Sequence, residues 1–498
     1  MSNVLERAEQ YSRYVERLAE HCKHSCLFEK PFGREEMTSF LGEAFDEAML
    51  NRNLRELRKA VMLRTIGRDL SGLADMGEVV TTMSDLAEIS IAHALALHES
   101  WMTERYGVPV GESSGTPQRL HVVGMGKLGG RELNASSDID LVFVYPEDGE
   151  TAHGMSCQEY FSKLGKRLIS SLQDITPDGF VFRVDMRLRP YGESGSLSSS
   201  FAMLEEYFLT QGREWERYAW IKGRVVTGNR IEELMNIVHP FVFRKYLDYG
   251  ALGSMRELHA QIRQQVKRLE MSDNIKLGPG GIREIEFIAQ VFQLIRGGRD
   301  GALRIRPTLK VLDILEAKRM LPEKVAEELK EAYVFLRNLE HRLQYLDDAQ
   351  TQTLPGSEED KRLVAQSMGF PDYAAFLNAL DERRRRVEFH FESVFADSGD
   401  QETIQTWVQE GESKLAELGY NEPGQMLALL NGIRAGSRYR HLPAASQKRV
   451  DELIPLVVKA ASMVSHPDLT LKRMSDLLES VSRRSSYLAL LKEYPHTL

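Results

Sequence analysis

The sequence predicts an α+β fold in which a small mixed-sheet core is flanked by an N-terminal helical region and a C-terminal helical bundle. Three observations carry this reading. Apolar residues recur at helical spacing up to about residue 106; the strand-like runs HVV, DIDLVFVY and FVFRVDMRL cluster between 119 and about 230; and helical patterning returns afterwards. A chain of 498 residues exceeds what one hydrophobic core usually serves, so several domains are expected. The expected divisions are a helical region at 1–115, the core at 116–270, the bundle at 271–400 and a helical connecting region at 401–498.

Taking the elements in order, Leu54, Leu57, Val61, Met62 and Ile66 form an early helical stripe. GVPVGESSGTPQ at 107–118 concentrates Gly, Pro and Ser and marks the boundary to the core. Within the core, YFSKLGKRLISSLQ and MLEEYFLTQGREWERYAW read as helices. After 230 the helical pattern is broken at NIKLGPGGIRE, 274–284, and at TLPGSEED, 353–360. VDELIPLVVKAASMV and LTLKRMSDLLESV then read as amphipathic helices.

Composition narrows the class. Hydrophobic residues at 42% and charged residues at 28% describe a soluble globular protein. A net charge of −9 argues against wrapping nucleic acid, and the basic run Arg383 to Arg386 reads as a solvated helix face. Three cysteines suit a reducing compartment; His21, Cys22, His24 and Cys26 have the look of a zinc half-site, but no second Cys/His pair answers them. The charged N-terminus shows no signal peptide and no apolar run is long enough for a bilayer, so a cytoplasmic protein is expected.

The densest chemistry lies in GMGKLGGRELNASSDIDLVFVY, from Gly124. Gly124, Gly126 and Gly129 satisfy G-x-G-x-x-G, the dinucleotide fingerprint. The next strand begins near Ile139, only about ten residues on, too soon for a crossover with its helix. Asp138 and Asp140, two apart in a strand, point to one face, and paired carboxylates are costly unless a cation compensates them. Hard oxygen donors of this kind suit Mg²⁺. Asp185 in VFRVDMRLRP completes the set if its strand is a neighbour, and Arg183, Arg187 and Arg189 share its face. Gly126, Gly129 and Gly130 permit close approach of phosphate, Lys127 adds charge, and Ser136 and Ser137 can bond phosphate oxygens.

Two later segments are accessory candidates. REWERYAWIKGRVV, 213–226, suits either a nucleotide contact or an ordinary helix with i, i+4 pairs. Lys276, Gly280 and Gly281 precede an apolar helix and form either an anion site or a plain turn with its cap.

GMGKLGGRELNASSDIDLVF, DGFVFRVDMRLRPYGESGSL, GREWERYAWIKGRVV and NIKLGPGGIREIEFIAQVFQLIRGGR together resemble the bifunctional glutamine synthetase adenylyltransferase and adenylyl-removing enzymes, from about residue 40 to the end. Members of that family carry two nucleotidyltransferase halves and are about twice as long; this chain has one set of motifs and looks like one half. Met125, Met186 and Leu277 to Arg283 resemble the N-terminal, adenylyl-removing half. The resemblance implies a nucleotidyltransferase core of the DNA polymerase beta type, with Mg²⁺ on Asp138, Asp140 and Asp185. It implies that orthophosphate attacks adenylyl-tyrosine on glutamine synthetase, releasing ADP, under control of the uridylylated PII signal protein. Arg187, Arg189, Lys127 and the glycines are then phosphate-binding candidates. The alternatives are attachment of AMP from ATP and a non-catalytic PII-binding module; retention of all three aspartates speaks against the latter.

Overall fold

The computed structural model describes residues 2–21, 28–244, 273–395, 411–442, 444–462, 464 and 466–481. Cys22, His24 and Cys26 of the expected zinc half-site lie outside the described residues. The described residues divide into two compact units, one reaching Val394 and the other beginning at Phe395.

The first unit opens with α1 (Ser2–Tyr11), α2 (Arg13–His21), α3 (Arg34–Leu41), α4 (Glu47–Leu70) and α5 (Met76–Tyr106). The carboxylates of Asp46 and Asp75 cap α4 and α5 by accepting the N–H groups of Met49 and Glu78. α4 is buried nearly all round from Leu54 onward, and it takes arginines inside with it. Arg55 satisfies its guanidinium on the carbonyls of Asn51, Ser171, Asp174 and Gly179, which ties α4 to the core.

The core strands are β1 (Pro109–Gly111), β2 (His121–Gly124), β3 (Ile139–Tyr145), β4 (Gly149–Thr151), β5 (Val184–Asp185), β6 (Ser198–Ser200) and β7 (Arg224–Thr227). β1 and β4 form a separate ribbon. The main sheet runs β5-β3-β2-β7, with β6 also paired to β3. β2 lies antiparallel to β3 and β7, whereas β5 and β6 lie parallel to β3, so the sheet is mixed as expected. The antiparallel β2–β3 step removes the dinucleotide-fold reading, which needs a parallel crossover.

β3 is the central strand because its β-branched and aromatic run can be covered on both faces; of its seven residues, all except Asp140 are buried. Burying a side chain such as Phe143 stabilises by about 1.5–3 kcal/mol. α6 (Gly126–Gly130), α7 (Cys157–Gln173), α8 (Phe201–Thr210), α9 (Glu214–Trp220) and α10 (Ile231–Val242) complete the core. Gly165 of α7 seats directly on the Phe143 ring, and Phe161 stacks on Tyr145 at 4.9 Å. The run FVFRVDMRL is strand only at Val184–Asp185. The Asp185 carboxylate accepts the N–H of Arg187 and turns the chain out of the sheet.

The expected bundle follows as α11 (Ile282–Arg296), α12 (Thr308–Ala317), α13 (Glu323–Tyr345), α14 (Glu358–Ser367) and α15 (Tyr373–Phe395). Arg383 and Arg386 on α15 pair with Glu331 and Glu382, but the basic run is only partly the solvated face expected of it, since Arg383 also packs on the Phe335 ring and Arg384 bonds the Pro279 carbonyl. The second unit holds α16 (Gly411–Glu417), α17 (Pro423–Ala435), α18 (Ser437–Arg440), α19 (Ala444–Ser462) and α20 (Pro467–Val481) around Leu415, Leu453, Val457 and Leu471. No described helix is long and apolar enough to cross a membrane.

Candidate active site

Parallel pairing of β5 with β3 puts Ile139 opposite Val184 and Asp140 opposite Asp185. The third aspartate, Asp138, precedes β3 by one residue, and two-residue periodicity directs it to the face of Asp140. Asp138, Arg183, Asp185, Arg187, Arg189 and Gln350 line an open cleft of about 360 Å³.

The charges there are unequally answered. Asp140 is pushed up to about 7, first by burial and then by Asp138 and Asp185. Asp185 is held below the usual carboxylate range by its hydrogen bonds from Arg187, at 2.8 Å from Nε and 2.5 Å from Nη2. Arg187 thus occupies the third carboxylate, and among the described residues no three Asp, Glu, His or Cys side chains converge as a ready metal cage. The donor set nevertheless fits a hard cation. Two oxygen donors share a face, a third stands on the adjacent strand behind an exposed arginine, and Asp140 lacks a bonded cation.

The chain is similar to known proteins along its whole length. Residues 1–236 match the family Glutamate-ammonia ligase adenylyltransferase, and residues 256–395 match GlnD PII-uridylyltransferase. Over the whole chain it is 52% identical to the bifunctional glutamine synthetase adenylyltransferase/adenylyl-removing enzyme of Chromobacterium violaceum, covering 57% of that protein. The counterpart in Nitrosomonas eutropha is 51% identical over 98% of this chain and 56% of its own length. In Ralstonia nicotianae the figures are 46%, 99% and 57%. Over its whole length the chain is similar to these bifunctional enzymes. It spans a little over half the length of these relatives, and the order of the two matched families along it fits an N-terminal half.

The family's glycine segment is a single helical turn, α6, rather than an open loop. Gly126 has φ +51, and a Cβ there would stand 2.9 Å from Asp140 Oδ2, so glycine keeps room beside the carboxylate. Gly129 packs against the Lys222 carbonyl and Gly130 against the Glu132 carboxylate; both serve close packing in this structure. Lys127 is turned inward, its Nζ 2.6 Å from Glu340 of α13. Burial lowers it to about 8 despite Glu340, while Glu340 is held at about 2, against burial, by Lys127 and Arg337. We take the ionised pair as the state of the site, since Glu340 has two cations on it.

Ser136 is committed as well. Its hydroxyl donates to Asp348, its N–H to Gln344, and its carbonyl accepts from Arg183. Ser137 is buried beside it. Arg189 spends its guanidinium on the carbonyls of Met186, Glu193 and Gly195, clipping the loop after β5. Lys276 is half-buried, within electrostatic reach of Asp140, and makes no side-chain ion pair among the described residues. Gly280, at φ +65, is pressed against the backbone of Arg384 on α15, and Gly281 caps α11. Of the two readings for 278–281, the structure shows the turn and cap.

Within 213–226 the structure shows a short helix, α9, followed by the start of β7. Glu216 caps α9 by accepting the Arg213 N–H, Arg217 bonds the Val242 carbonyl, and Arg224 reaches Glu88. Sequence reasoning missed the buried cluster that anchors this segment. Lys222 pairs with Glu132 at 2.5 Å and Glu286 at 3.5 Å; Arg337 bonds Tyr333, Asn134 and the Glu132 carbonyl. The signal available was charged residues, Arg337 and Glu340, among the apolar positions of α13.

Proposed function

We propose that this chain removes AMP from an adenylylated tyrosine of glutamine synthetase by phosphorolysis, giving ADP and the unmodified synthetase. The observation that carries the reading is the cleft wall, where Asp138 and Asp185 alternate with Arg183, Arg187 and Arg189. Such a wall suits a cation-bridged phosphoryl group and a second phosphate anion together. The relatives' name carries both activities, and the resemblance of Met125, Met186 and 277–283 to the removing half is what supports removal over attachment. A D-x-D strand with the third aspartate on its parallel neighbour supports a core of the DNA polymerase beta type.

Asp138, Asp140 and Asp185 would hold Mg²⁺. When bound, Mg²⁺ supplies charge neutralisation and polarisation of phosphoryl oxygens. The protein's own groups orient. Gly126 leaves Asp140 accessible, Arg187 exchanges with Asp185 as the carboxylate turns inward, and Lys276 offsets the charge of Asp140 and of the phosphoryl oxygens. An orthophosphate oxygen attacks the adenylyl phosphorus, the bond to the tyrosyl oxygen breaks, and that oxygen leaves and takes a proton. The partners are adenylylated glutamine synthetase and, as regulator, uridylylated PII.

The test is incubation of the chain with adenylylated synthetase, Mg²⁺ and orthophosphate, with and without uridylylated PII, following ADP. Phosphate-dependent ADP supports removal. Label transferred from ATP to unmodified synthetase instead would establish the attaching activity, and neither outcome would leave a binding module.

A further inference from the structure

The cations around the carboxylates differ in how their donors are used. Arg187 is bonded to Asp185, Arg189 to three carbonyls, and Lys127 to Glu340. Arg183 is different. Its Nη2 donates to the Ser136 carbonyl at 2.5 Å, its Nε is buried without a partner, and it makes no ion pair among the described residues. Its guanidinium lies 5.3 Å from the centre of the Phe180 ring, and Arg58 lies at 4.6 Å from the same ring. Asp348 answers Arg58 at 2.8 Å, leaving Arg183 the cation of this pair with donors to spare.

A guanidinium is weakly hydrated and presents its donors as a rigid fork matched to phosphate oxygens. Arg183 is half-buried, with its Nε closed off from solvent, so the Nη donors that Ser136 does not take are the ones open to a ligand in the cleft. Arg183 lines the cleft with Asp138 and Asp185, so the unused donors are beside the carboxylates that would hold the adenylyl phosphate. Phe180 and the Ser136 carbonyl fix its orientation.

We propose that Arg183 binds the attacking orthophosphate. The inference rests on the phosphorolysis reading and assigns its second substrate a place: Arg183 holds non-reacting oxygens of orthophosphate while a third oxygen forms the new bond to phosphorus. The residue neither gives nor takes a proton. Arg187 and Arg189, the arginines singled out from sequence, hold Asp185 and the loop after β5.

Arg183→Met and Arg183→Lys test this. Both should raise KM for orthophosphate by at least about tenfold, the loss of a charge-assisted bond. KM for adenylylated synthetase should not change, kcat at saturating phosphate should stay within a few-fold, and the melting temperature of Arg183→Lys should match the parent. An unchanged phosphate KM would overturn the proposal. So would a rise confined to the KM for adenylylated synthetase, which would put Arg183 on the adenylyl group instead. Calorimetric titration with orthophosphate alone separates this from the underlying reading. If the parent binds phosphate and the variants do not, Arg183 stands even where no ADP is formed; equal binding by parent and variants, or by neither, refutes it.

Discussion

Asp140, half-buried on β3, and Glu340, fully buried on α13, are carboxylates of the first unit that both lose water, with opposite outcomes. Asp140 stands beside Asp138 and Asp185 with no bonded cation and rises to about 7. Glu340, fully buried on α13, falls to about 2, because Lys127 and Arg337 outweigh burial. The protein therefore compensates a charge completely where it needs structure. Where the carboxylates stand together at the wall of a cleft and Arg187 answers only Asp185, the arrangement suits a cation, as proposed above.

The sharpest way to break this contrast is Asp140→Asn. Turnover should be abolished, while thermal melting at pH 8 stays level or rises, since a charge held at a cost is deleted. Retained ADP formation would remove Asp140 from the metal set. The opposite result is expected of Glu340→Gln, which leaves Lys127 and Arg337 buried without their anion. Urea unfolding should show about 3–5 kcal/mol lost; a loss below about 1 kcal/mol would mean that the cluster re-pairs internally.

Acid should sharpen the comparison further. His341, bonded to Asn134 in the buried cluster, is pushed down to about 3 by burial, against the pull of Asp69. The unfolded chain takes up its proton near the ordinary value of 6.5, and the folded chain refuses it. This contribution is complete above pH 6.5 and is lost as pH falls toward 3, amounting to about 2 kcal/mol by pH 5. Melting curves from pH 7.5 to 5 should fall less steeply for His341→Gln than for the parent; parallel slopes would contradict a neutral buried histidine. The smallest effect is expected at Arg187, whose side chain is 72% exposed. Arg187→Ala frees Asp185, and Mn²⁺ used as a probe should bind about threefold tighter. Weaker Mn²⁺ binding would mean that Arg187 positions Asp185 for the metal rather than competing with it.

Much of the site was legible in the chain because it depends on local geometry. Strand periodicity put Asp138 and Asp140 on one face, and the apolar run after them marked a central strand. The role of the glycines was less legible. Gly126 does adjoin Asp140, but Gly129, Gly130 and Gly280 answer to neighbours, Lys222, Glu132 and Arg384, that lie far along the sequence. Lys127 read as a phosphate ligand because its partner Glu340 is 213 residues away. Among Arg183, Arg187 and Arg189 the sequence singled out the last two, because one alternating face gave no reason to prefer Arg183.

By itself, the sequence determined the mixed architecture and the likeness to the adenylyl-transferring and adenylyl-removing enzymes, and it brought three aspartates forward as candidates. These follow from short-range periodicity and long continuous motifs. Only the tertiary structure decided which charges are spent and which are available. A side chain's commitment is set by partners brought from other elements, as Asp348 is brought to Arg58 and the Ser136 carbonyl to Arg183, and no spacing along the chain encodes those encounters.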